Sequence, residues 1–420
     1  MRTAVRPIGC IADDITGATD LASALAARGL DVRLAFGSDA VTDDGADAIV
    51  VALKVRSVLA DDARTAAAQA ARSLRSVGAE QLFSKYCSTF DSTADGNIGP
   101  IADVLAELVA ARRVVHCPAY PENGRTVYLG HLFVGDELLA ESPMRDHPLN
   151  PMRDSLLRRV LAPQTPHVVG SLAWPAVDSG VGAVLARLAE IAAGMPGLHH
   201  VIADAVRGRD LDTIAEAVAG DTVAGGGAAF GAAFAAAALR RAGRVAAPVE
   251  FRPPPPPGRA AILAGSLSRA TREQIASFDG PVLTLGMAEL VDGEVAVDRC
   301  LDFAASRLDD GPVLIASERD VLDAPPGLTA VEVSRRIEAT LGRVALGLTA
   351  LGVRRLVVAG GETSGAVADA LGLKSARIGP DIAVGVPWLV DHDRGLAVAF
   401  KSGNFGRPRF FADALAAEDA

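Results

Sequence analysis

Two short stretches carry an unusual density of side chains able to bind or move charge. "IADDITGATD" sets Asp13, Asp14, Thr16, Gly17 and Asp20 directly behind an apolar run. "FSKYCSTFDSTADGNIGP" sets Lys85, Ser88, Thr89, Asp91, Ser92, Thr93 and Asn97 behind another. A carboxylate at such a turn can orient a substrate hydroxyl or accept its proton, and a glycine lets backbone approach a ligand. The competing use of these residues is helix capping, worth about 1 kcal/mol for an Asp or Thr. One cap needs one residue and the first stretch offers several, which favours function. Lys85 suits a substrate carboxylate, and Arg56, behind the run AIVVALKV, could take the same anion with a bidentate fork. "PENGRTVYLGHLFVGD" reads as a further polar loop with Glu122, Asn123, Arg125 and His131.

A general base is needed if a hydroxyl is to attack, and Asp13, Asp91 and Asp14 are the candidates, in that order. Adjacent residues of an extended strand point to opposite sides, so one of Asp13 and Asp14 is expected to reach the substrate.

The later part of the chain has a different inventory. "RRLVVAGGETSGAVADAL" reads as a strand, a turn with Gly360, Gly361, Glu362, Thr363 and Ser364, then a helix, an arrangement suited to a phosphate. "AILAGSLSRATREQI" repeats the device with Gly265, Ser266 and Ser268. "AFKSGNFG" offers Lys401, Ser402, Gly403 and Asn404 in a loop tight enough to lie against a nucleotide. None of these is GxxxxGK[ST], which excludes a P-loop NTPase, and no GxGxxG turn supports a dinucleotide-binding dehydrogenase. Three such turns together predict nucleotide binding.

The elements that must position these residues alternate. VRPIGCIA, DVRLAFG, AIVVALKV, QLFSKYC and RRVVHCPA read as strands, separated by helices over 18–29, 61–78 and 98–112. After residue 258 the alternation restarts with RAAILAGS, GPVLTLG, GPVLIAS and RRLVVAGG as strands. Helices are expected at 269–278, near 301–308 and over 333–351. Strands spaced by helices mean βαβ units and parallel sheets. The fold class is therefore α/β: two α/β domains, each with a mainly parallel sheet flanked by helices, and an active site in the cleft between them. The boundaries are 1–250 and 259–420, with RPPPPPG at 252–258 as a semi-rigid spacer. AGGGAAFGAAFAAAAL at 224–239 reads as a buried small-residue helix.

A length of 420 residues suits two domains. The net charge of −10 leaves no basic surplus for a general nucleic-acid binder. No apolar run is long enough to span a bilayer, and the amino terminus lacks the apolar region of a signal peptide. Cys10, Cys87, Cys117 and Cys300 show neither CxxC spacing nor histidine partners, which suits free thiols in a reducing cytoplasm. A homo-oligomer is compatible with this composition.

Taken in order, "ADDITGATD", "FSKYCSTFDSTADGNIGP", "CPAYPENGRTVYLGHLFVGD", "GGETSGAV" and "KSGNFG" resemble the four-carbon acid sugar kinase family over essentially the whole chain. The resemblance implies an ATP-dependent kinase whose amino-terminal domain holds a small acid sugar and whose carboxy-terminal domain holds ATP, with Mg²⁺ bridging the phosphates. It implies substrate contacts from Arg56, Lys85, Ser88, Asn97 and Arg125. Ser266, Gly360 to Ser364 and Gly403 would contact ATP. Threonate and erythronate kinases of this family usually read K-x-D-S-T-x-R-G-N. The form KYCSTFDSTADGN, with extra residues after Lys85 and no Arg before Gly96, is similar to the 3-oxo-tetronate kinase branch, which phosphorylates the O4 hydroxyl. A threonate or erythronate kinase and a non-catalytic acid-sugar sensor are the alternatives.

Overall fold

The computed structural model describes residues 6–147, 150–195, 197–244, 252–266, 268–317, 327–403 and 405–416. The chain divides into two compact units, Met1–Glu250 and Phe251–Ala420. Asn404, expected in the nucleotide loop, lies outside the described residues.

The first unit carries β1 (Ile8–Ala12), β2 (Val32–Phe36), β3 (Ala48–Ala52), β4 (Gln81–Lys85), β5 (Arg113–Cys117), β6 (Arg125–Tyr128), β7 (His131–Val134), β8 (Glu137–Leu138), β9 (Val168–Leu172), β10 (His199–Ala203) and β11 (Val223–Gly226). The order β2-β3-β1-β4-β11-β5-β10-β9 forms a parallel sheet. Helices cover both faces, so β1 (IGCIA) and β3 (AIVVA) are buried at every position instead of alternating. The helix Ala60–Ser76 turns Ala63, Ala67, Ala70, Ala71 and Leu74 inward at helical spacing. Asp61 and Asp62 complement the dipole in its first turn, and Arg75 does so in its last.

The expected helix over 224–239 begins later than its composition suggests. Val223–Gly226 is the strand β11, and the helix is Ala228–Arg241. Phe230 and Phe234, one helical turn apart, both sit 6.0 Å from the Phe83 ring of β4. The glycine run masked the strand because only Val223 of its four residues is β-branched.

The reading of PENGRTVYLGHLFVGD as a loop is corrected: β6 and β7 form an antiparallel hairpin, extended by β8. Its turn, Leu129-Gly130, has positive φ at both residues, 49° and 78°. That backbone normally selects Asn-Gly or Asp-Gly, and a leucine at the first position hides the signal.

The second unit carries β12 (Arg259–Ala264), β13 (Val282–Leu285), β14 (Val313–Ser317), β15 (Val353–Ala359), β16 (Ser375–Ala383), β17 (Val386–Asp391) and β18 (Leu396–Lys401). Its order is β13-β14-β12-β15-β18-β17-β16, parallel as far as β18 and antiparallel beyond it. A core of Ile262, Leu314, Val357, Trp388, Phe410 and Phe411 packs on this sheet. The stretch 252–258 is not a free spacer. Arg252 pairs with Asp381 at 2.8 Å, Pro253 is buried, and a Cβ on Gly379 would lie 2.7 Å from the Pro253 carbonyl.

Candidate active site

In the first unit, strands β3, β1 and β4 are neighbours, and the polar stretches leave from their carboxyl ends. The Asp13 N–H donates to the Lys85 carbonyl at 3.0 Å, and the Val55 N–H to the Asp13 carbonyl at 2.9 Å. The ladder thus continues past the strands and sets the depth of Asp13, Arg56 and Lys85.

Arg56 donates through Nε and Nη2 to Asp13 Oδ2 and Oδ1, both at 2.8 Å. The same Nη2 lies 3.0 Å from Asp14 Oδ1, and Nη1 lies 3.6 Å from Asp91 Oδ2. Both members of the Asp13–Asp14 pair therefore reach this site, against the expectation from strand alternation. A guanidinium is wide enough to meet one on its edge and the other at its corner. Burial works against the Arg56 charge, but Asp13 and Asp14 outweigh it and hold its pKa well above the ordinary value.

Asp14 is also the helix cap. Its Oδ1 accepts from the Gly17 N–H at 2.7 Å and its Oδ2 from the Thr16 hydroxyl at 2.9 Å, at the start of the helix Ile15–Ala27. Burial opposes its charge, yet Arg56, Lys85 and these two donors keep its pKa low. Burial raises the Asp13 pKa, with Arg56 pulling against it. Asp91 Oδ1 accepts from the Thr89 hydroxyl at 2.6 Å. Cys87 lies 2.9 Å from Thr89, and burial, then the Asp91 charge, push its thiol up to about 12, so it is no thiolate at neutral pH.

Lys85 is 2% exposed. Its Nζ donates to the Tyr86 carbonyl at 3.0 Å and lies 3.8 Å from Asp20 Oδ2. A Cβ on Gly17 would come within 3.1 Å of that Nζ, so the glycine makes room for the lysine. Burial pushes Asp20 up to about 6, with Lys85 and Arg125 drawing it down.

Asn97 is committed to backbone: its Nδ2 donates to the carbonyls of Val55 at 2.7 Å, Val58 at 2.9 Å and Arg56 at 3.3 Å. It therefore fixes the segment that carries Arg56. Ser88 is half-buried, and Arg125 of β6 donates to the Asn123 carbonyl. Asp20 Oδ1, Ser92 Oγ, Asn97 Oδ1 and Arg125 Nε are buried without hydrogen-bond partners among the described residues. Orphan polar atoms of this kind call for a ligand or ordered water.

In the second unit, β12, β15 and β18 are neighbours, and their following turns converge. The N–H groups of Gly265 and Ser266 donate to the Ala359 carbonyl at 3.0 and 3.1 Å, and the Gly360 N–H to the Lys401 carbonyl at 2.8 Å. Gly360, with φ of 128°, precedes the helix Gly361–Ala370, so Glu362, Thr363 and Ser364 belong to its first turn. A Cβ on Gly265 would lie 2.0 Å from Thr363 Oγ1, and one on Gly403 would lie 2.5 Å from Ser266 Oγ. The structure brings Ser266, Gly360, Gly361, Thr363, Ser364 and Gly403 to one edge, with Glu362 exposed beside them.

Lys401, expected to face a nucleotide with its loop, points into the core instead. Its Nζ donates to the carbonyls of Gly403 at 2.9 Å and Ser402 at 3.0 Å and to the Thr271 hydroxyl at 3.2 Å. The Phe410 ring lies 5.9 Å away. It is the last residue of a fully buried strand, and burial lowers its pKa to about 7. Ser268 Oγ and Thr271 Oγ1 also donate to the Gly403 carbonyl, at 2.5 and 3.0 Å. Thr271 escaped notice in the sequence because nothing distinguishes it from other polar residues of a short helix.

Two family models match the chain: a sugar-binding N-terminal domain over residues 8–237 and a nucleotide-binding C-terminal domain over 261–411. The 3-oxo-tetronate kinase of Burkholderia multivorans is 45% identical over 99% of this chain and 99% of its own length. That of Methylobacterium radiotolerans is 46% identical, over 97% of this chain and 98% of its own length. The Salmonella typhimurium 3-oxo-tetronate kinase is 36% identical over 96% of this chain and 97% of its own length. Among solved structures, a Salmonella typhimurium LT2 protein described as a candidate tRNA synthase superposes with a TM-score of 0.83 at 35% identity, covering 98% of this chain and 99% of that one. A Haemophilus influenzae protein gives a TM-score of 0.76 at 36% identity, covering 97% and 99%. With a sugar-binding and a nucleotide-binding domain matched in tandem and kinases aligned end to end, the chain belongs to the four-carbon acid sugar kinase family.

Proposed function

We propose that this enzyme is an ATP-dependent 3-oxo-tetronate kinase that transfers the γ-phosphoryl group to the O4 hydroxyl of a 3-oxo four-carbon acid sugar. The observation that carries the reading is the end-to-end similarity to 3-oxo-tetronate kinases at 45% and 46% identity. The division of chemistry supports it: carboxylates and cations in the first unit, glycine-rich turns at a helix start in the second. Phosphoryl transfer needs positioning and charge stabilisation more than covalent chemistry.

In this reading ATP lies on Ser266, Gly360 to Ser364 and Gly403, with phosphates toward the N–H groups that open the helix Gly361–Ala370. The substrate carboxylate pairs with Lys85, Arg56 and Arg125, and Ser88 and Asn97 complete the polar lining. As the O4 oxygen attacks phosphorus, its proton passes to an aspartate and ADP leaves. Asp91 fits that role better than Asp13 or Asp14. Arg56 occupies both Asp13 oxygens, Gly17 and Thr16 occupy those of Asp14, and among the described residues Asp91 Oδ2 has the Arg56 contact alone, at 3.6 Å.

Among the described residues no group of three or more His, Cys, Asp or Glu could hold a metal ion. Mg²⁺ would arrive on the nucleotide phosphates, which would supply most of its ligands. Glu362, in the helix's first turn, would add a carboxylate there. No helix among the described residues is long and apolar enough to cross a membrane. The free thiols suit work in the cytoplasm.

The test is ADP release measured by a coupled assay over a panel of threonates, erythronates and their 3-oxo forms. The 3-oxo acids should turn over, and the reduced acids should lose at least tenfold in kcat/KM, as expected when a buried polar group goes unpaired. Turnover of threonate or erythronate above the 3-oxo acids would assign the chain to the other branch.

A further inference from the structure

Behind the Lys85 stretch runs a set of buried titratable groups that the proposed chemistry does not use. Tyr86 Oη lies 3.1 Å from His116 Nδ1, His116 Nε2 lies 3.0 Å from His200 Nδ1, and His200 Nε2 lies 2.8 Å from Asp103 Oδ1. The Thr165 hydroxyl donates to the same Asp103 oxygen at 3.0 Å. Tyr86, His116, His200 and Asp103 are each at most 2% exposed. They come from four elements distant in sequence: the residue after β4, strands β5 and β10, and the helix Ile98–Leu108. A buried polar chain of this length is costly unless every member is satisfied.

One order of protons satisfies them all. The Asp103 carboxylate only accepts, so His200 donates from Nε2 and is left to accept at Nδ1. His116 then donates from Nε2 and accepts at Nδ1, and Tyr86 donates its hydroxyl proton there. Burial supports this order, lowering the His116 pKa and raising that of Tyr86. The reverse order leaves the buried Tyr86 proton with no acceptor among the described residues.

The chain ends against a strained turn. The Tyr86 ring meets the Phe90 ring edge-on at 5.3 Å, and Phe90 has φ of 59°, a left-handed backbone that bulky residues rarely adopt. Such a residue persists only where its surroundings over-determine it. Its neighbours are Thr89 and Asp91, joined at 2.6 Å, with Asp91 turned toward Arg56. The glycine run in β11 makes the space. A Cβ on Gly225 would lie 3.1 Å from His116 Nδ1 and 3.3 Å from the Tyr86 ring. The Tyr86 N–H donates to the Gly226 carbonyl at 3.1 Å.

We infer that Tyr86, His116, His200 and Asp103 form a buried positioning relay that holds Phe90 in its left-handed turn and so sets Asp91 and Thr89 for the acid-sugar substrate. The link to substrate rests on the kinase reading above; the mechanical link from Tyr86 to residues 88–93 does not. Tyr86→Phe removes the hydroxyl and keeps the ring against Phe90, and His116→Gln serves as a second variant should the first be poorly folded.

Hydrogen–deuterium exchange in the folded variants reads the mechanical part. Amides of the peptide covering residues 87–93 should exchange about tenfold faster, the scale set by orphaning one buried acceptor, with the second unit unchanged. Histidine ¹⁵N spectra of the wild type should show both His116 and His200 as Nε2–H tautomers. Steady-state kinetics read the functional part: kcat/KM for the acid should fall about tenfold with KM for ATP within about twofold. Adding Tyr86→Phe to Phe90→Ala should cost little more than Phe90→Ala alone, because both act through one turn. Unchanged exchange at 87–93 in both variants, or an Nδ1–H tautomer at either histidine, overturns the relay. Altered exchange with unchanged acid kinetics overturns its role in positioning substrate. A wild type inactive on every four-carbon acid, with altered exchange in the variants, sinks the substrate reading and leaves the relay standing.

Discussion

At the scale of residues, the first unit gathers one guanidinium and three carboxylates within 3.6 Å, so single substitutions there have separable effects. Asp91→Asn should preserve acid and ATP binding and lower kcat by about 10²–10⁴-fold, the usual contribution of a general base. Asp13→Asn should instead act through Arg56. With the bidentate pairing weakened, the guanidinium loses its orientation and KM for the acid rises. Steady-state kinetics with each substrate varied separate the two, and an Asp91→Asn enzyme with wild-type kcat would move the base elsewhere. Arg56→Ala and Lys85→Ala should weaken the acid and leave ATP unaffected. Lys85→Ala has the further consequence of leaving Asp20 buried without its cation at 3.8 Å.

At the scale of elements, the proposed nucleotide site depends on three strand ends held at fixed separation. Gly360 tolerates no side chain, because its φ of 128° is closed to other residues. Gly403 is limited by space instead, with Ser266 Oγ 2.5 Å from where a Cβ would stand. Gly403→Val should therefore push the turns after β12 and β18 apart and raise KM for ATP at least tenfold. Titration calorimetry with the acid alone should be unchanged. Thr271→Val, which removes a donor to the Gly403 carbonyl, should give a smaller loss in the same direction, of about 1 kcal/mol in ATP binding. A wild-type ATP affinity in a folded Gly403→Val protein would place the nucleotide elsewhere.

At the scale of the whole molecule, each unit carries a buried charge that works against its stability. Lys401 has an amine held near 7 in the folded chain against an ordinary value of 10.5. The unfolded chain binds that proton better between those values, so stability rises with pH from about 7 to about 10.5. The shift is worth on the order of 5 kcal/mol. Lys401→Met should raise the unfolding temperature of the second unit at pH 6.5, and the gain should vanish toward pH 10. ATP affinity should fall at the same time, because the Gly403 carbonyl loses its ammonium partner. Asp20 runs the other way: held near 6 against an ordinary 3.8, it is bound better by its proton when folded. Its cost is therefore complete above pH 6 and relieved as pH falls toward 4. Asp20→Asn should remove this contribution to the pH dependence of the first unit between about pH 4 and pH 6. Thermal melts of both variants across pH check these signs, and a Lys401→Met gain that persists at pH 10 would refute the buried-charge account.

Local pattern alone determined the strand–helix alternation, the polar turns behind β1, β4, β12 and β15, and the likeness to acid sugar kinases. These are properties of neighbouring residues, in which periodicity, glycine spacing and caps act over a few positions. The hairpin β6–β7 and the strand β11 were not legible, since Leu129 stands where the turn prefers Asn, and glycines stand where a strand prefers branched side chains. Pairings between distant segments were decided by tertiary structure alone. Arg56, whose whole fork the sequence offers to a substrate anion, has its Nε–Nη2 edge taken by Asp13 because parallel pairing of β1 with β3 lays one beside the other. Lys401, read as part of a nucleotide loop, is turned inward by the strand that ends on it. Tyr86, His116, His200 and Asp103 look unremarkable one by one, and only the sheet order β4-β11-β5-β10 brings them into hydrogen-bonding sequence. Sequence separation carries no record of such contacts, because the sheet sets strand order by packing and crossover topology and not by adjacency along the chain.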